Sequence, residues 1–258
     1  MRGELPRGRQ REIESTFPRA VERLERAYPT WAASFLGSEA RTPSALRELW
    51  DGWHLLCETN LALIESEACW VWYSELRSPP NETLARYFCL YFLEDAALRL
   101  GASSSHMLLA LRKHIGFKLA TGGGRVSTLV KTIAALEVQE HRPQALAWLR
   151  SLNSNRAWQQ CSEYRRCWTH NSRPAIAGLG PIMTSRRLDL TSDGVGFGFG
   201  TEQPVDWTVE ELRPIFRNGY AALLTVYLKV IKLMSPDGKS LLAVKPMLAP
   251  RKKNAGLV

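Results

Sequence analysis

Two long runs with no proline inside them, separated by Ser78-Pro-Pro-Asn81, constrain this chain more than any other feature. Thr42-Pro-Ser44 caps the first run, which reaches to about Glu75 and carries Leu46, Trp50, Trp53, Leu56, Leu61 and Ile64 as an apolar stripe. The second run starts at Glu82 and repeats Leu84, Phe88, Tyr91, Leu98 and Ala102 at spacings of three and four, to about Ile115, with Gly101 as a weak point. That periodicity is the signature of amphipathic helices. Further helices are expected over Arg9 to Tyr28 (Ile13, Phe17, Val21, Leu24, Tyr28), over 126–138 and 143–152, from Arg156, and from Asp206-Trp-Thr208 to about Met234. Thr121-Gly-Gly-Gly124 is a break, and Asn153-Ser-Asn155 is a good N-cap cluster.

After Pro174 the pattern changes. Met183 to Leu190 and Val195 to Phe199 alternate as strands about a turn at Asp193-Gly194, which predicts one small β-hairpin near 183–200. Glycines at 194, 196, 198 and 200 leave one strand face bare, as expected of a strand lying close against another surface. They do not make a phosphate loop, because neither G-K-[S/T] nor a strand-to-helix context is present. The expected fold class is all-α: a multi-helix bundle with one small hairpin insertion.

The net charge of +9 lies mostly at the two ends. Residues 1–11 hold four arginines against Glu4, and residues 245–258 hold four cations and no acid. The organisation expected is a basic disordered tail over 1–11, a single helical domain over 12–244 and a second basic disordered tail over 245–258. Such tails bind nucleic acid or acidic lipid when they bind anything; as solvated ends they bind nothing. Five cysteines, an odd number, argue against a secreted disulfide framework. No apolar run follows the N-terminal arginines, and none reaches the roughly 18–20 residues that span a bilayer. A cytoplasmic chain with no membrane span is the expectation.

The chemistry concentrates in Glu163-Tyr-Arg-Arg-Cys-Trp-Thr-His-Asn-Ser-Arg-Pro174. Trp158, Cys161, Arg165 and Trp168 form one stripe of its helix, so Arg165 falls where a core residue belongs. A guanidinium there needs an acid, a carbonyl or a bound anion. On the helix from Glu82, Asp95 occupies the stripe of Leu84, Phe88, Tyr91 and Leu98, while Glu94 points about 100° away. An Asp95–Arg165 pair follows, either as a structural register lock or as part of a site that His170 completes as a proton-transfer group. Cys161, Cys167 and His170 lack both a familiar zinc spacing and a fourth ligand, and no metal or cofactor is expected. His106 and His114 read as surface or core-edge residues. The nine tryptophans mostly fall at helical spacing and read as core.

Arg165 and His170 form an R-x4-H pair in YRRCWTHN, and with the segment from Tyr87 to Leu108 they give the chain its family likeness. It resembles the HEPN-like group of small all-α bacterial proteins, in an uncharacterised branch, over roughly residues 44–235. The resemblance implies RNA binding, or a metal-independent endoribonuclease in stress or phage defence, often with two motifs sharing a homodimer cleft. It implies that His170 moves protons at the 2′-hydroxyl or leaving oxygen, that Arg165 binds the scissile phosphate, and that Asp95 holds Arg165. Arg166, Asn171, Arg173 and Arg99 would supplement substrate binding. Arg166 departs from the pattern, which often has an uncharged polar residue there. The alternative is a non-catalytic helical scaffold that binds a cognate partner protein, with Asp95 and Arg165 as a structural pair.

Overall fold

The computed structural model describes residues 5–17, 44–115, 129–138, 143–170, 176, 179, 187–191, 194–198 and 207–234. Among these, seven α-helices form: α1 (Arg7–Ser15), α2 (Ser44–Val71), α3 (Glu82–Ile115), α4 (Leu129–Val138), α5 (Pro143–Ser154), α6 (Arg156–His170) and α7 (Val209–Met234). A π-helical turn, Trp72–Leu76, ends α2. The helix starts follow local chemistry. Leu84 N–H donates to the Asn81 side chain at 2.9 Å, and Trp158 N–H donates to the Asn155 side chain at 2.9 Å. Thr208 and Glu211 cap α7 reciprocally, through Glu211 N–H to Thr208 Oγ1 at 3.1 Å and Thr208 N–H to Glu211 Oε2 at 2.9 Å.

α2 and α3 pack along their lengths, and α7 lies against both, with α6 filling the remaining side. Leu49, Leu56, Leu90, Leu100, Phe216 and Leu223 are fully or almost fully buried in one core, each contributing about 1.5–3 kcal/mol by leaving water. Close approach is built in by small residues. A Cβ at Gly52 would strike the Tyr227 hydroxyl, and one at Gly219 would lie 2.5 Å from Cys161 Sγ. Ser103 Oγ donates to Gly52 O at 2.7 Å, and Tyr227 Oη donates to Leu49 O at 2.6 Å. Burial pushes the Tyr227 phenol well above its ordinary range, so it stays a donor.

The buried face of α3 differs from the expected stripe. Ala85, Cys89, Leu93, Ala96, Leu100 and Met107 are buried, whereas Tyr91 is 61% exposed. α3 is packed by α2, α6 and α7, so it buries alanine, serine and cysteine where helices meet most closely. Hydrophobic periodicity gives those small residues little weight. Leu61, expected in the core face of α2, is likewise exposed.

The hairpin expected over 183–200 is not supported as an inserted element. The backbones of Arg187–Thr191 and Gly194–Gly198 run antiparallel, with Asp189 opposite Gly196. Neither joins a helix in a packed layer, and a lone two-stranded ribbon is marginal in water. Residues 7–11, expected in the basic tail, lie in α1, where Arg9 pairs with Glu12 and Glu75, and Ile13 is buried. The 18–28 part of the first expected helix, the 121–124 break and the 245–258 tail lie outside the described residues. No helix among the described residues is long and apolar enough to cross a membrane.

One polar cluster ties the far ends of α2 and α3 together. Glu48 takes a hydrogen bond from Lys113 Nζ at 2.8 Å and lies 2.8 Å from His106 Nδ1. Burial opposes its ionisation, but the bonds to Lys113 and His106 outweigh burial and hold its carboxyl below the ordinary 4.5. A depressed pKa stabilises the fold above the unfolded-state value, and that stability is lost as pH falls through the folded value. Glu48→Gln is therefore expected to lower stability at neutral pH, with the difference from wild type vanishing under acid. Urea unfolding of both proteins from about pH 7 to about pH 3 checks this; a constant difference across that range would contradict it.

Candidate anion-binding cleft

Arg165 leaves α6 toward α3 and lies directly over Gly101, where any Cβ would strike its Cδ and Nε. Gly101 is thus the seat of the Arg165 side chain rather than a weak point in the helix. The guanidinium enters a cleft of about 340 Å³ between α3, α4 and α6, with Asn153 of α5 at one end. Arg165 is half-buried, and its Nε is buried with no hydrogen-bond acceptor. Trp168 Nε1, one turn further along α6, is a second buried donor with no acceptor. Burial lowers the Arg165 pKa, since desolvation disfavours the charged form. No described carboxylate pairs with it to offset that cost.

The expected Asp95–Arg165 pair is not among the described hydrogen bonds. Asp95 accepts from Arg99 Nε at 2.8 and 2.9 Å, and Arg99 also pairs with Glu58. Gly101 lies six residues beyond Asp95, about 9 Å along α3 and about 120° around it. The acid on the inner face is Glu94, 7% exposed, which accepts a hydrogen bond from Tyr164 Oη at 3.2 Å. The missed signal was Tyr164, fully buried and packed edge-on against Phe216. It marks the true inner face of α6, one residue from the stripe expected there.

The other site candidates separate. Arg166 is exposed and pairs twice with Glu163, through NH2 to Oε1 at 2.5 Å and Nε to Oε2 at 2.9 Å. Those bonds hold the Glu163 carboxyl below its ordinary range, and Glu163 stands ionised at the cleft. His170 is the last residue of α6, and its side chain lies outside the described set, as do Asn171 and Arg173. Along an ideal helix His170 lies about 7.5 Å and about 140° from Arg165. Cys161 is spent on packing. It is buried, its thiol is pushed up by desolvation, and its Sγ donates to Ile215 O at 3.4 Å.

No protein-family model matches the chain, and no curated protein or solved structure matches it. The HEPN-like resemblance rests on its own residues.

Gly101→Ala separates the site from the fold. The flexible end of Arg165 gives way to the new methyl, and alanine gains about 0.8–1.0 kcal/mol of helix propensity. The variant is expected to unfold within about 1 kcal/mol of wild type, with Arg165 displaced toward solvent. Thermal unfolding, with peptide mapping after phenylglyoxal modification of arginine, measures both. Unchanged reactivity of Arg165 would contradict its seat on Gly101.

Proposed function

We propose that this protein binds an anionic ligand through Arg165 in the cleft between α3, α4 and α6. The single observation that carries the reading is the buried Nε of Arg165, which lacks a protein acceptor where leaving a donor unpaired costs about 1–3 kcal/mol. An anion at that atom removes the cost. The cleft gives the anion access, and Gly101 fixes the side chain.

RNA is the ligand class that the R-x4-H resemblance implies, with Arg165 on a backbone phosphate and His170 as the group that moves a proton. The phosphate role has support in the Arg165 Nε, buried without an acceptor. The cleavage role has less, since Asp95 is engaged by Arg99 and His170 is offset around the helix from Arg165.

A second reading, a non-catalytic helical scaffold, is favoured by one observation. Arg99 and Arg166, two of the other cations assigned to substrate, are already paired within the chain. RNA binding followed by fluorescence anisotropy, and RNA cleavage in EDTA, test wild type beside Arg165→Met and His170→Ala. Binding that weakens in Arg165→Met supports the anion reading. Cleavage lost only in His170→Ala would add the nuclease role. RNA binding that is unchanged in a folded Arg165→Met protein leaves the scaffold.

A further inference from the structure

The lining of the cleft narrows the ligand beyond "anion". Glu163, which lines the cleft, is neutralised by Arg166 from outside it, so Arg165 is the charge among the described lining residues that no described partner balances. A phosphate monoester carries about −1.5 to −2 charges near neutral pH, more than one guanidinium balances. A carboxylate carries a single charge, and its two oxygens match the side-on fork of a guanidinium.

The remainder of the lining is mixed, polar at Asn153, Gln159 and Ser162 and apolar toward α3 and α4. Ala97 and Leu100, both buried, form its floor on α3, and Leu129 and Val130 line the α4 side. Val130 is 64% exposed, an apolar side chain at the rim. Ser104 and Ser105 add hydroxyls from the next turn of α3. A volume of about 340 Å³ sits at the low end of the roughly 300–1,000 Å³ that small-molecule sites occupy. A groove for a nucleic-acid strand works differently, with cations along its length and open aromatic rings for stacking. Here the lining aromatic, Trp158, is buried.

We infer, on the basis of the Arg165 reading above, that the cleft is a site for a small monocarboxylate with a short apolar body. The carboxylate sits on the Arg165 guanidinium, and the body lies against Leu100, Leu129 and Val130.

Isothermal titration calorimetry of the full chain tests this with four probes: hexanoate, hexyl phosphate, inorganic phosphate and 1-hexanol. Hexanoate is expected to bind best, and 1-hexanol not measurably. Arg165→Met is expected to weaken hexanoate about tenfold or more, the scale of a lost charge-assisted hydrogen bond. Val130→Glu, at an exposed position that the fold does not need, is expected to weaken hexanoate by placing a negative charge and a longer side chain at the rim. Hexanol binding as well as hexanoate would overturn the inference. So would inorganic phosphate or RNA binding through Arg165 while hexanoate does not, an outcome that leaves the anion reading standing. If no anion binds, both fall.

Discussion

The close packing of α3 against three other helices sets the terms for everything else in this molecule. It is achieved by small side chains. Gly52 of α2 lies under the His106 Cβ and the Ser103 carbonyl of α3, Gly101 of α3 lies under Arg165 of α6, and Ser66 of α2 reaches the Cys89 carbonyl at 3.2 Å. Larger side chains at these points would push the helices apart and empty the core of its dispersion contacts. The same rule creates the cleft. Where α6 crosses α3, Gly101 leaves a space one side chain deep, and Arg165 fills it.

Element boundaries were legible because local chemistry writes them. Ser78-Pro-Pro-Asn81 ends one helix and caps the next, Asn155 caps α6, and Thr208 with Glu211 caps α7. Each of these signals acts within one turn and needs no knowledge of the rest of the chain. The buried faces were harder to read. On α3 the large residues Tyr87 and Tyr91 face outward, while Ala85, Ala96 and Ser103 are wholly buried. A stripe drawn through Leu84, Phe88, Tyr91 and Leu98 therefore ran along the edge of the buried face, carried Asp95 inward and left Glu94 outside. The structure reverses both.

Arg165 was legible for the opposite reason. A guanidinium in a stripe with Trp158 and Cys161 is anomalous wherever the neighbouring helices sit, and the structure keeps it half-buried. Its partner was not legible, because pairing depends on which helix crosses α6 and at what height. Asp95 had a better partner in Arg99, four residues along its own helix, an arrangement any isolated helix already favours. Arg166 likewise took Glu163. Local pairs consume the charges that sequence spacing had assigned to one site, and they leave Arg165 as the charged side chain whose Nε is buried without an acceptor.

The most direct test of that central point is the Arg165 Nε–H resonance in a ¹H–¹⁵N spectrum, assigned by its disappearance in Arg165→Lys. The proton is expected to exchange slowly with water, because the atom is buried, and to show the shift of an arginine without a hydrogen-bonded acceptor. On addition of hexanoate it should move downfield. A resonance already shifted downfield in the protein alone, and indifferent to added anion, would mean that the chain itself supplies the acceptor, and would contradict the assignment of Arg165 as a ligand anchor.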